Sequence, residues 1–340
     1  MSSTVGIREV AILAGVSTAT VSRSLNAPDS VRKALRDRVV AAVQASGYVP
    51  NAGARALSTN RSLTIGAVIP TVDNAMFAAG LEEAEQTLAG QGFHLLIATT
   101  RYDPVAELEV VRTMLARGVD GFLFMGDNHL PESMALLRAQ RRPWINLGVW
   151  RPDWNMKQHA PSVGFDNIDA SRQIARFLLD LGHTRIAMLA GVSRDNDRAA
   201  GRIEGMRQAL MEAGLSLRVS EHPYSVEEGR MGLRALLAAG DDRPTAVACG
   251  NDVLAFGALA EAKAQRIEVP KTLSIVGFDD LEMARHQDPP LTTLRIDTRK
   301  MWRLGALGLL SALNGHTEPK QQRVEAALIV RGSTARATPD

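Results

Sequence analysis

The sequence predicts a small all-α head of the helix-turn-helix kind joined to a large α/β body, and three observations carry that prediction. Apolar residues in the first fifty positions recur at helical spacing. From Leu63 onward the pattern switches to short unbroken apolar runs separated by amphipathic stretches. Polar residues, mostly aspartate and asparagine, then stand at the ends of those runs.

In the head, Ile7, Val10, Ala11 and Ala14 form the stripe of a first short helix. Gly15 breaks it, since glycine reaches positive φ without steric cost. Ser17 can cap a second helix by accepting a backbone N–H. Val21 and Leu25 share one face of that helix, whereas Thr18 with Ser22 and Ala19 with Arg23 share another. One apolar face and one small, hydroxylated, cationic face suit a helix-turn-helix whose second helix enters the DNA major groove. A pair of ordinary core helices would show the same apolar stripe. Asn26-Ala27-Pro28-Asp29 makes a turn, and Leu35, Val39, Ala42 and Val43 mark a third helix ending near Gly47.

Charge supports the DNA-binding reading. Residues 1–61 carry eight Lys/Arg against three Asp/Glu, whereas the rest of the chain carries 31 against 34. A basic head on a slightly acidic body is an electrostatic footprint for nucleic acid.

In the body, the runs LTIGAVI, FHLLIAT, GFLFM, WINLG, RIAMLAG, TAVACG and LSIVGF read as buried parallel strands. Between them, helices are predicted at Ala75–Ala89, Val105–Ala116, Ala170–Leu181, Arg202–Ala213 and Val253–Ala264. Such alternation argues two doubly wound units in tandem, beginning near Leu63 and Val163, with a cleft between them. Open α/β sheets bind ligands at the carboxyl ends of their strands. Asp73, Asn74, Asp127, Asn251, Asp252, Asp279 and Asp280 stand at such ends, a set suited to hydroxyl groups.

Other classes find little support. The chain has no GxGxxG after a strand, no GxxxxGK[ST], no GxSxG and no HExxH, so no enzyme, catalytic residue or cofactor is expected. Its seven histidines do not pair at metal-ligand spacing; His183 reads as structural. The single cysteine, Cys249, has no adjacent base and reads as buried and inert. Without a secretory signal or an 18-residue apolar run, no membrane association is expected and the cytoplasm is the expected compartment. A non-DNA-binding sugar-binding protein or an enzyme is the alternative reading.

The run IREVAILAGVSTATVSRSLN, followed by GYVPNAGARAL, resembles the lactose-repressor (LacI/GalR) family of bacterial transcription regulators. In the body, IGAVIP, VGFDN, LGHTRIAMLAG, RIEGMRQAL, ACGNDVLAFGAL, LSIVGFDD, PPLTTL and ALIVRGST resemble the family's periplasmic-binding-protein-like core. The likeness spans about residues 6–334, and VGFDN with its neighbours resembles the gluconate-responsive members. It implies a DNA-binding domain at 1–50, a hinge at 51–61 and an effector core at 62–335. The core would divide into subdomains of about 62–161 with 295–323, and 163–291 with 325–335. The crossings would lie near Pro161–Val163, Leu291–Ile296 and Arg323–Ala327. One departure is Arg32, where the family usually starts the third helix with Ser or Thr; Ser30 or Asp29 is the expected substitute cap.

Carried over by position, Thr18, Ala19 and Arg23 are base readers, and Thr20, Ser22 and Asn26 are phosphate contacts. A guanidinium suits guanine O6 and N7. In the hinge, Arg55 is a further DNA contact and Leu57 is the minor-groove wedge. The implied effector contacts are Phe77, Asn196, Arg198, Arg202, Tyr224, Asn251 and Asp279, with Asn74, Arg101, Asp127 and Asp166 as weaker candidates; Asp280 would brace the loop.

In WINLG, Gly148 replaces an acidic sugar ligand of the lactose type, while Arg194, Arg198 and Arg202 cluster nearby. That exchange predicts a sugar acid, gluconate-like or ketogluconate-like, or a sugar phosphate. The implied partners are double-stranded operator DNA, that small molecule and a second copy of the chain, the operator being near-palindromic. Trp302–Leu313 and Ala75–Ala89 are candidate dimer faces, equally readable as core helices. The resemblance implies a repressor that its effector releases from the operator, with corepression as the alternative, and with no tetramerising heptad tail in the sequence a dimer is expected.

Overall fold

A computed structural model describes residues 5–49, 53, 61–155, 159–238, 240, 243–316 and 320–338. The chain divides into two units, Met1–Leu63 and Thr64–Asp340.

In the first unit, α1 (Ile7–Ala14), α2 (Thr18–Asn26) and α3 (Lys33–Ser46) surround Val10, Ala11, Ala14, Val21, Val39 and Ala42. Gly15 closes α1 in the left-handed region at φ 60°, its N–H donating to the Ala11 and Ile12 carbonyls. The Arg38 guanidinium donates to the Ala14 carbonyl, so α3 satisfies an orphan acceptor at the end of α1. Ser17 caps α2, its Oγ accepting from the Thr20 N–H at 3.1 Å. The expected cap of α3 is corrected. Arg32 takes the N-cap position without a side-chain bond, Ser30 Oγ donates instead to the Ala27 carbonyl, and Asp29 pairs with Arg36 at 3.7 Å.

The second unit holds two six-stranded sheets. The first is ordered β2 (His94–Thr99), β1 (Thr64–Ile69), β3 (Gly121–Met125), β4 (Trp144–Leu147), β5 (Ser162–Gly164), β11 (Gln322–Arg323), all parallel. The second runs β7 (Arg218–His222), β6 (Ile186–Gly191), β8 (Ala246–Cys249), β9 (Ser274–Asp279), β10 (Thr292–Ile296), β12 (Ala326–Ile329), with only β12 antiparallel. The chain leaves the first sheet after β5, returns after β10, and leaves again between β11 and β12. These passages make two lobes, each assembled from separate stretches of sequence.

Helices α4 (Ala75–Ala89), α5 (Pro104–Ala116), α6 (Pro131–Ala139) and α11 (Thr298–Leu313) serve the first sheet. Helices α7 (Asn167–Asp180), α8 (Asp197–Glu212), α9 (Val226–Leu237) and α10 (Asp252–Ala264) serve the second. Its two faces are covered separately: Ile174, Met206 and Phe278 lie in one core, and Leu233, Ala258 and Ile275 in the other. The two candidate dimer helices, α4 and α11, pack on each other, and Trp302 fills the space that a side chain at Gly80 would need. His183 is buried and bridges Thr245, Ser274 and the Ala335 carbonyl, which ties the C-terminal segment to the second lobe. Cys249 is buried, and burial pushes its thiol far above the ordinary range, so it has no thiolate chemistry near neutral pH.

Candidate functional site

The head presents one exposed cationic face. Ser17 holds α2 at its N-terminus, while Val21 is fully buried and Leu25 is partly so. That anchorage leaves Thr18, Ala19, Arg23 and Asn26 exposed, with Thr20 and Ser22 half-buried. The Arg23 side chain is exposed and makes no hydrogen bond or ion pair among the described residues, so its guanidinium is available to a ligand. Asn26 Nδ2 donates to Ser22 Oγ at 3.3 Å, and Ser17 and Thr20 share a hydroxyl contact at 2.9 Å. Arg55 and Leu57 lie outside the described residues.

The body presents a cleft where both lobes bring strand ends together. An inner chamber of about 30 Å³ is lined by Asn74, Met76, Phe77, Tyr102, Asn196, Arg198, Arg202, Tyr224, Asn251 and Asp279. It opens toward a mouth of about 460 Å³ whose wall includes Asp73, Asn74, Arg101, Tyr102, Arg194 and Tyr224. All seven principal effector candidates and Asn74 thus meet in the inner chamber, and Arg101 lines the mouth. A chamber that small has room for a water molecule or two, not for a monosaccharide.

Arg202 organises the chamber floor. It is buried, its Nε donates to Asn167 Oδ1 at 3.1 Å, and its Nη1 donates to the Gly250 carbonyl at 2.6 Å. Its guanidinium carbon sits 3.6 Å from the centre of the Phe278 ring. Asp279 ends β9 with φ 112°, a backbone region unusual for a non-glycine residue. Its side chain is buried, and Oδ1 has no hydrogen-bond partner among the described residues. Burial raises its pKa to about 6, opposed by the nearby charge of Arg202. Asp280 faces away and receives Arg295 at 2.6 Å and Arg331 at 2.7 Å, which makes it the loop brace.

Behind Asp279 lies Asp252, the first residue of α10. Thr293 Oγ1 donates to its Oδ1 at 2.6 Å and the Leu281 N–H to its Oδ2 at 2.7 Å. Burial, then the charge of Asp279, raise its pKa to about 8, and the two hydrogen bonds only partly oppose this. The native state therefore holds this proton more tightly than the unfolded chain, whose carboxyl titrates at 3.8. Its contribution to stability is complete below about pH 4 and is lost as pH rises through about 8. Asp252→Asn is expected to remove that falling limb, which urea unfolding across this range would register as a flatter profile than wild type. Parallel profiles would show that Asp252 is ionised throughout.

The arginine cluster is not as expected. Arg198 Nη1 donates to Asp197 Oδ1 at 2.8 Å and to the Met125 carbonyl at 3.0 Å. Arg202 is engaged as described. Only Arg194 stands free of the interior, with a side chain 90% exposed and a 3.8 Å pairing to Asp195. Arg198 also fills the space beside Gly148, where a Cβ would stand 3.2 Å from its Cδ. Two of the weaker candidates do not line the chamber. Asp127 is held by Arg151 at 3.1 Å and by Asn146 at 2.7 Å, and Asp166 caps α7 through the Ile168 and Asp169 N–H groups. Tyr102 and Met76, which sequence motifs did not single out, do line it. The Tyr102 and Tyr224 rings stand 6.4 Å apart, and burial pushes the Tyr102 hydroxyl up to about 12.

Residues 6–51 match the model of bacterial regulatory proteins of the lacI family, and residues 175–334 match that of a periplasmic binding protein-like domain. The HTH-type transcriptional repressor CytR of Escherichia coli (strain K12) is 33% identical over 339 residues, covering 98% of this chain and 97% of its own. The chain belongs to the lacI family. This lacI-family chain is similar in structure to the lac repressor dimer bound to operator and the anti-inducer ONPF, with a TM-score of 0.85 and 27% identity. That match covers 97% of this chain and 99% of the other. It is also similar to a transcriptional regulator CelR–cellobiose complex, with a TM-score of 0.70 and 30% identity over 97% of this chain and 99% of that one. It is a DNA-binding transcriptional regulator with a ligand-binding domain, not an enzyme. These likenesses are to the family at large and do not single out its gluconate-responsive members.

Proposed function

We propose that this chain is a ligand-gated repressor that grips a near-palindromic double-stranded operator as a homodimer and releases it when a sugar fills the cleft. The observation that carries the ligand reading is Asp279: a buried carboxylate oxygen without a partner, on a strained strand end, facing a chamber lined by Arg202, Asn251 and Asn196. Such a group is costly unless something supplies a hydrogen bond, and a sugar hydroxyl does so. Phe77, Tyr102 and Tyr224 add apolar and aromatic walls of the kind that accept a sugar's C–H face. On DNA, Thr18, Ala19 and Arg23 read bases, while Thr20, Ser22 and Asn26 hold phosphates. Arg55 and Leu57 extend the contact into the minor groove. A protein that works on operator DNA acts in the cytoplasm; no helix among the described residues is long and apolar enough to cross a membrane.

The same site bears on the ligand's charge. The sugar-acid and sugar-phosphate expectation rests on Gly148 in place of an acidic sugar ligand and on three clustered arginines, and two of those arginines already bond within the protein. A neutral polyhydroxyl ligand is therefore better supported, and the solved relative above holds cellobiose. A thermal-shift screen of neutral sugars, gluconate, ketogluconate and sugar phosphates decides this; stabilisation by the anions alone would restore the acidic ligand. Gel shifts on genomic fragments, with and without the stabilising sugar, test the rest. Binding to no fragment defeats the operator reading, tighter binding with sugar reverses the sign to corepression, and light scattering that gives a tetramer or monomer defeats the dimer.

A further inference from the structure

We propose that Asp197 and Arg198, at the start of α8, clasp the lip of the opposite lobe, and that a charged His129 behind that lip props it in the clasped position. The lip is Met125–Gly126–Asp127, where β3 gives way to the loop before α6. Across the cleft, Arg198 Nη1 donates to the Met125 carbonyl at 3.0 Å, and the Asp127 N–H donates to Asp197 Oδ2 at 2.9 Å. Two reciprocal bonds between a backbone turn and an adjacent ion pair fix both distance and orientation. Gly126 is what lets them meet. At φ 100° it occupies backbone space that disfavours side chains, and a Cβ there would fall 1.8 Å from Arg198 Nη1. Arg198 thus belongs to the closure of the cleft rather than to the recognition of ligand charge.

The lip is held from behind by a chain of polar groups that runs from the exposed Arg151 through Asp127 to the buried Asn146 and Glu107. Asn146 Nδ2 donates to Asp127 Oδ1 at 2.7 Å, while Arg151 holds Asp127 Oδ2. With its amide nitrogen committed to Asp127, Asn146 turns its oxygen to His129 Nε2 at 3.3 Å. His129 Nδ1 faces Glu107 Oε1 at 2.9 Å. Both ring nitrogens therefore meet acceptors, and only the imidazolium has two N–H donors. The charged groups facing the ring are Glu107 from α5 and Asp127 from its own loop, with Arg151 beyond Asp127; β4 contributes Asn146 and β3 the Phe124 ring, whose centre lies 4.9 Å from that of His129. Burial alone would lower the histidine's pKa, but the Glu107 bond and the two carboxylate charges outweigh it and raise it above 6.5. Losing the proton leaves one acceptor, Glu107 or Asn146, unmatched in a buried site. The Asn146–Asp127 arrangement that shapes the lip then loses its support.

The inference concerns the free protein, and it rests on the sugar-cleft reading only for what the clasp guards. It is tested by hydrogen exchange on the full chain, followed in peptides spanning residues 121–131 and corrected for the chemical rate of the unfolded chain. Wild type is expected to protect the lip near about pH 6 and to lose that protection, by about tenfold, toward about pH 9. Arg198→Ala is expected to lose it at every pH, with β8 and β9 peptides unchanged. Glu107→Gln removes the carboxylate that holds the proton, so the loss should move to lower pH with the clasp intact. Lip protection that ignores pH in wild type, survives Arg198→Ala, or keeps its midpoint in Glu107→Gln overturns the proposal. None of these outcomes bears on whether a sugar binds, which the thermal-shift screen reads separately.

Discussion

Replacing Arg23 by alanine is expected to weaken operator binding by about 1–3 kcal/mol per half-site, about 5- to 150-fold, and to relax base preference at one position in each. Ser17 caps α2, Val21 seats it in the head's core, and Ser22 bonds Asn26. Arg23 is exposed and has no internal partner among the described residues, so its removal costs the head little stability. What is lost is a planar guanidinium able to donate two bonds to guanine O6 and N7. A selection of operator variants, measured at one salt concentration, separates this from a phosphate contact. A uniform loss across all variants, with a salt slope shallower by about one, would reassign Arg23 to the backbone.

The head was legible because its constraints are local. Stripe, break and cap all fall between Ile7 and Ser17, and α1 and α2 form where the spacing predicts. The third helix shows the limit. Polar residues before a helix look like caps, but the turn at Pro28–Ser30 commits Ser30 to Ala27 and leaves Arg32 uncapped. In the body, buried strands such as Gly121–Met125 announce themselves as unbroken apolar runs. β7, Arg218–His222, does not, because an edge strand that is half solvated keeps polar residues.

The cleft was harder, for a physical reason. Helices begin where parallel strands end, so a polar residue at a strand end can serve the helix, the ligand or both. Asn74, Asp166, Asn196 and Asn251 all cap helices through one side-chain oxygen. Three of them also line the chamber, and Asp166 does not. Sequence cannot separate these cases, since capping and ligand contact use the same atoms. Tyr102 and the Asp197–Arg198 contacts depend on how two lobes approach across seventy or more residues of chain, which no local pattern encodes.

Arg202→Ala is the change expected to separate the two functions most cleanly, leaving DNA binding intact and abolishing the response to sugar. Arg202, itself on α8, ties elements of the second lobe together: its side chain bonds Asn167 at the start of α7 and the Gly250 carbonyl after β8, and it lies over the Phe278 ring on β9 and near that of Phe165. Truncation leaves Asn167 with its bond to the Gly148 carbonyl but orphans Gly250, which accepts a charged hydrogen bond worth about 1.5–3 kcal/mol. A loss of stability of that order is expected, and thermal unfolding should show it. Asp279 loses the one cation that opposes its burial, so its pKa should rise above about 6 and its carboxyl should be less fully ionised near neutral pH. The chamber would then lack the arginine's donors and offer a sugar a less fully charged acceptor. A coupling of about 1–3 kcal/mol between sugar and operator is typical of such proteins, so wild-type gel shifts should move about 5- to 150-fold with sugar and the variant's should not move. Arg202→Lys should fail as well, because one ammonium cannot serve Asn167 and Gly250 in a fixed plane while stacking on Phe278. A folded Arg202→Ala protein that still releases DNA at the same sugar concentration would place the sugar elsewhere in the cleft, against the mouth tyrosines rather than on Asp279.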